Sequence, residues 1–181
     1  ANLTRQLLTF GRRQIMQRKP LDLKEVVDEM TKMLRRILGE DVTLKVENNS
    51  DLPRINADRG MMEQILLNLA VNSRDAMPRG GELVISTSAE RIDETYARRN
   101  TDATPGEFVC LTVRDTGCGI TPKDLGHIFE PFFTTKEIGK GTGLGLSVAY
   151  FIITNNHKGQ MEAHSTPGAG TGSSSSSKPC I

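Results

Sequence analysis

Gln64, Asn68, Asn72 and Asp75 recur at close to i, i+4, i+8 and i+11, so on one helix they form a line of amides ending in a carboxylate. An apolar stripe, Met62, Ile65, Leu66 and Leu69, runs beside it. Buried polar groups need partners. The line is therefore either the solvated flank of an amphipathic helix or a row of oxygen ligands facing a cleft. Mg²⁺ suits the second reading: it takes hard oxygen ligands, keeps several waters and is commonly shared with substrate phosphates.

Three further stretches carry chemistry in the same way. The run DTGCGI at 115–120 follows a strand-like segment. Its two glycines let backbone approach a planar ligand, and Asp115 can accept a hydrogen bond from an exocyclic amine; alone, the run is equally an ordinary Asp-Gly turn. The run GKGTGLGLS at 139–147 opens a helical apolar pattern at Leu144. Backbone N–H groups at a helix start make an anion site, although neither the P-loop nor the dinucleotide fingerprint is present. The run FEPFFTTK at 129–136 sets Phe129, Phe132 and Phe133 beside a polar loop, as a hydrophobic anchor or as the hinge of a lid.

The elements that must position these residues follow from capping and periodicity. Residues 3–17 read as a helix with an apolar face, broken by Pro20. Asp22 caps a second helix that Gly39 stops, and Val42, Leu44 and Val46 alternate as a half-buried strand. Asp58 caps a long helix through Met77. Strands are expected at 82–89 and 107–114, joined by a loop or long hairpin connection, with a short helix capped by Thr121. A further helix runs to about Asn155, and a short strand near 160–163 follows. The Gly/Ser tail from 172 cannot bury a core and is expected to be disordered. This order of elements favours an α/β (α+β) two-layer sandwich of helices on a mixed or antiparallel sheet over a doubly wound parallel one.

Composition bounds the rest. The chain has 181 residues and a formal net charge of +1. That balance offers no electrostatic argument for nucleic acid or an anionic membrane, and no apolar run reaches the length of a membrane span. The absence of Trp disfavours a stacking platform for single strands. Cys110, Cys118 and Cys180 have no CxxC spacing and read as free thiols in a reducing, cytoplasmic setting.

Taken together and in this order, the four motifs resemble the ATPase superfamily of gyrase, Hsp90, histidine kinases and MutL, over about residues 22–171. Residues 63–77 look like its N box, 115–120 its first glycine box, 129–136 an F box and 141–146 its second glycine box. An F box between two glycine boxes marks the histidine kinases. The opening segment, residues 3–10, resembles the end of a dimerisation helix of such kinases. The resemblance implies a Bergerat-type ATP-binding fold at 20–171, with 1–19 as dimerisation helix and linker and 172–181 as tail. It implies ATP and Mg²⁺ as ligands, and transfer of the γ-phosphoryl group to a histidine on a dimerisation domain of the same protein. A response regulator or receiver domain would act downstream, in two-component signalling.

Residue by residue, the resemblance implies that Asn72 ligates Mg²⁺, with Asn68 as its partner one turn earlier. Asp115 reads the adenine amino group, and Gly117 and Gly119 let the backbone pass the base. Gly141, Gly143 and Gly145 form the phosphate-side loop. Lys136 and Thr142 are implied phosphate contacts, and Leu144 and Thr171 complete the nucleotide-binding set. Departures are visible too. The His-Glu phosphoacceptor motif is absent, and His127, His157 and His164 lie within or after the ATP motifs. Asp75 stands where many such kinases carry a basic residue. The tail replaces an expected last apolar strand, which would leave a sheet edge open. Two other functions are compatible with the motifs: a gyrase- or Hsp90-like ATPase, which would carry a Glu general base where Asn68 stands, and a non-catalytic ATP-binding regulatory module.

Overall fold

The computed structural model describes residues 16–48, 52–99, 105–137, 141–168 and 171–173. The expected first helix lies outside the described residues except for Met16 and Gln17, which are not helical, and the tail beyond Ser173 lies outside them too.

Strand β1 (Lys19–Leu21) leads into helix α1 (Leu23–Leu38). The Asp22 carboxylate accepts from the backbone N–H groups of Lys24 and Glu25, and Gly39 ends the helix at φ 81°. Both boundaries match the capping signals in the sequence. Strand β2 (Val42–Asn48) and the short β3 (Ile55–Ala57) precede helix α2 (Arg59–Ala76). Asp58 caps α2 through a bond from Met61 N. Strand β4 (Gly81–Ile92), helix α3 (Glu94–Arg99) and strand β5 (Gly106–Asp115) follow. Helix α4 (Pro122–Leu125) starts at the Thr121 cap, and helix α5 (Gly145–Phe151) continues as a π-helical turn over Ile152–Asn156. Strands β6 (His164–Ser165) and β7 (Thr171–Ser173) close the sheet.

The main sheet has the order β2-β4-β5-β7-β6, with β2 parallel to β4 and the other pairs antiparallel. It is a mixed sheet with helices packed on it, the two-layer architecture expected. One layer contributes Leu23, Val26, Val27, Met30 and Leu34 of α1 with Met62, Ile65 and Leu66 of α2. The other contributes Leu44, Leu83, Ile85, Val109 and Val113. Each such side chain contributes about 1.5–3 kcal/mol on burial. Separately, β1 pairs antiparallel with β3, fastening the start of the described chain to the entry of α2.

Several expectations need correction. The connection between β4 and β5 contains α3, whose polar composition gives no apolar period. The strand expected at 160–163 instead forms at 164–165, and a strand forms at 171–173 despite its Gly/Ser content, between β5 and β6. Pairing on both sides supplies the backbone partners that composition does not reveal. Cys118 is a free thiol, but Cys110 is disulfide-bonded, since pairing depends on proximity in the fold and not on spacing in sequence.

Candidate functional site

Asp115 ends β5 and is 7% exposed. Its Oδ2 accepts from Ser73 Oγ at 3.1 Å, and its Oδ1 accepts from Gly117 N at 3.0 Å. The carboxylate is thus fixed by the neighbouring helix on one side and by its own turn on the other. The turn itself is clamped. Cys118 N donates to Ala76 O at 3.0 Å, and Gly168 N donates to Cys118 O at 2.9 Å. A Cβ on Gly117 would lie 2.7 Å from Ala76 O, so only glycine allows this approach. Gly119 has φ +72°, and a Cβ there would lie 2.4 Å from Thr166 O, a second position that excludes side chains.

Helix α2 carries the amide line. Among the described residues Asn68 Nδ2 is buried without a hydrogen-bond partner, an orphan donor in the amide line. One turn later Asn72 lies against Gly145, where a Cβ would come to 3.3 Å from Asn72 Nδ2. The N box and the second glycine box therefore meet at Asn72. Ser73 follows on the same helix, buried and bonded to Asp115. Ser73 was not singled out in the sequence; the available signal was a small hydroxyl residue in a helix interior, where it is a weak helix former unless bonded.

The glycine loop and the F box are knit together by backbone. Phe132 N donates to Gly143 O at 2.9 Å, and a Cβ on Gly143, at φ +65°, would strike the Phe132 carbonyl carbon at 2.4 Å. Leu144 is buried at the start of α5, whereas Thr142 is exposed. Gly141 packs against Thr134 and Lys136. The expectation that Phe129, Phe132 and Phe133 all anchor in the core is wrong for Phe132, which is 65% exposed. Its own φ of 69° turns the side chain outward, and its backbone bond does the anchoring. Phe129 stacks on Tyr150 with centroids 4.7 Å apart. Residues 138–140 lie outside the described residues, and of Thr171 only its backbone pairing with Ser165 is described.

Lys136 reaches back to α2. Its Nζ donates to Asp75 Oδ2 at 2.6 Å. Arg74 takes the other oxygen, Oδ1, with its Nη2 at 2.7 Å. Burial pushes the Asp75 carboxyl up, but these two cations outweigh it and hold it below the usual carboxylate range. A separate cavity of about 620 Å³ lies between β1 and the first turn of α2. At 1.5 Å per residue it sits about 20 Å along the helix from Asn72, away from the motifs. Among the described residues no group of His, Cys, Asp and Glu forms a metal cluster, and no helix is long and apolar enough to cross a membrane.

Asp115, Asn68, Asn72 and the Gly145 helix start thus converge around the C-terminal half of α2. The profile of the histidine kinase-, DNA gyrase B- and HSP90-like ATPases matches residues 57–174. The chain belongs to this family. It is 46% identical over 153 residues to the sensor kinase CckA of Brucella abortus (strain 2308), covering 84% of this chain and 16% of that protein. It is 35% identical to the histidine-protein kinase AtoS of Escherichia coli (strain K12), covering 91% of this chain and 24% of AtoS. The chain therefore spans less than a quarter of these relatives' lengths. Among solved structures, the mycobacterial sensor histidine kinase MprB superimposes with a TM-score of 0.65 at 25% identity, covering 86% of this chain and 93% of that one. Full-length ShkA in complex with AMPPNP gives 0.67 at 26% identity, covering 86% of this chain and 29% of that one.

Proposed function

We propose that this chain binds ATP with Mg²⁺ around the C-terminal half of α2 and donates the γ-phosphoryl group to a histidine on a dimerisation domain. The observation that carries this reading is the convergence of a fixed buried carboxylate, Asp115, with Asn72 packed on the glycine-loop helix start. The residues present fit the ligand. Asn68 has an orphan donor, Gly117 and Gly119 keep the Asp115 turn clear of side chains, and Asn72 offers an amide oxygen to a hard cation shared with phosphates.

In this function Asp115 accepts from the adenine amine, its carboxylate held by Ser73 and Gly117. Gly117 and Gly119 give the base a flat backbone surface. Gly141, Thr142, Gly143, Leu144 and Gly145 present backbone donors at the start of α5 to the phosphates, and Lys136 adds a positive charge. Thr171 of β7 completes the nucleotide-binding set. Mg²⁺, when bound, neutralises charge on the phosphates, and catalysis is chiefly positioning and electrostatic stabilisation. The acceptor imidazole is nucleophilic when neutral. A receiver domain would then take the phosphoryl group onward.

An amide stands at Asn68, where a hydrolytic ATPase of this superfamily would need a carboxylate base, so water activation should be poor. The deciding experiment adds a separate histidine-bearing dimerisation domain and labelled ATP to this chain. Acid-labile, base-stable label on the added domain supports the kinase. Sustained phosphate release without transfer supports an ATPase, and binding with neither supports a regulatory ATP-binding module.

A further inference from the structure

Lys136 and Asp75 come from separate motifs 61 residues apart, yet their side chains meet at 2.6 Å. The contact spans the site. Asp75 lies three residues after Asn72 on α2, within one helical turn on the same side. Lys136 lies in the F-box segment, its stem against Gly141 of the second glycine box. The pair is partly shielded, with 34% and 27% of the two side chains exposed. Arg74 occupies the other Asp75 oxygen, so Asp75 retains a cationic partner after Lys136 leaves. A carboxylate placed beside the Mg²⁺-ligand position would repel an incoming triphosphate unless its charge is already balanced.

We infer that Asp75 is a positioning residue for Lys136, standing in for phosphate in the nucleotide-free protein and releasing the ammonium group to the polyphosphate chain when ATP binds. The inference rests on the proposed ATP site and adds how that site is held ready. Asp75 keeps the segment 130–137 docked on α2 before ligand arrives. The triphosphate then competes for the same cation, while Arg74 balances the carboxylate left behind.

Two readouts on this chain test it: calorimetric titration with ATP, ADP and adenosine, and hydrogen exchange of residues 130–137. Asp75→Asn should tighten ATP about two- to fivefold, the range of a partly exposed ion pair. The gain should be smaller for ADP and absent for adenosine. Without nucleotide, Asp75→Asn should lose protection at 130–137, and saturating ATP should restore it. Lys136→Gln should lose the same protection, the double variant should lose no more, and Asp75→Glu should retain it. Weaker or unchanged ATP binding in Asp75→Asn, or unchanged protection, overturns the handover while leaving the ATP site standing. Absence of ATP binding by the unaltered chain overturns both.

Discussion

Ser73 Oγ donates to Asp115 Oδ2 at 3.1 Å, joining the N-box helix directly to the carboxylate of the first glycine box. Both side chains are buried, at 5% and 7% exposure, so the bond is not exchanged for water. Ser73→Ala removes an orienting donor and keeps the charge. ATP affinity should fall by about 0.5–1.5 kcal/mol, the net value of one such bond. Asp115→Asn removes the charge-assisted contact itself and should cost about 1.5–3 kcal/mol. Calorimetry on both variants checks the order; unchanged affinity in Asp115→Asn contradicts its adenine role.

Gly117 and Gly145 should respond oppositely to alanine. A Cβ at Gly117 meets backbone, Ala76 O at 2.7 Å and Ala76 C at 3.0 Å, and neither can move alone. Gly117→Ala should destabilise the fold by about 1–3 kcal/mol in denaturant unfolding. At Gly145 the obstacle is the end of the Asn72 side chain at 3.3 Å, and the position is helical. Gly145→Ala should gain up to about 1 kcal/mol of helix stability yet displace the amide. The expected outcome is an unchanged or raised melting temperature with loss of the Mg²⁺-dependent part of ATP affinity, read by titration with and without Mg²⁺.

What could be read in advance was what local rules determine. Asp22, Asp58 and Thr121 cap their helices as their side chains dictate, and the alternation at Val42 and Leu44 yields a strand. The motif residues Asn72, Gly145 and Asp115 do converge on one end of α2. What local rules miss is decided by partners distant in sequence. Thr171–Ser173 becomes a strand because β5 and β6 flank it, not because of its composition. Ser73 gains its role only from Asp115, and Asp75 only from Lys136. Phe132 looked like a core anchor by type, but a left-handed backbone points it to solvent.

The segment from the F box to the second glycine box should order further on binding nucleotide. The Phe132–Gly143 backbone bond ties the two ends of the segment to each other and Phe129 stacks on Tyr150, while Thr134 and Thr135 between them are exposed. Ordering costs about 1–2 kcal/mol per residue in backbone entropy, and new bonds to phosphate would offset that cost. Hydrogen exchange with and without a non-hydrolysable ATP analogue should find added protection at 130–137, at 141–142 and in the first turn of α5. High protection without ligand that does not change on binding would make the Phe cluster merely structural.

His157 should make stability depend on pH near neutrality. Asp58 N donates to its Nε2 at 3.1 Å, and its Nδ1 donates to Ile152 O at 2.9 Å, which defines a neutral ring protonated on Nδ1. Burial holds its pKa below the ordinary value of 6.5; the Ile152 carbonyl opposes this, the Arg18 charge adds to it and the Asp58 charge opposes it. Arg18 also reaches the Asn156 carbonyl, while the Asp58 carboxylate accepts from Gln17 N and Met61 N. Protonation at Nε2 would therefore break the bond to the residue that caps α2 and bring a second positive charge towards Arg18. The folded protein binds this proton less readily than the unfolded chain. The contribution is then fully present above about pH 6.5 and is lost as pH falls through the lower folded value. Thermal unfolding between pH 7.5 and 5.5 should find a falling melting temperature in the unaltered chain. His157→Gln should begin less stable at pH 7.5 and vary less over the same range. A steeper fall in the variant than in the unaltered chain would mean that His157 is not the titrating group.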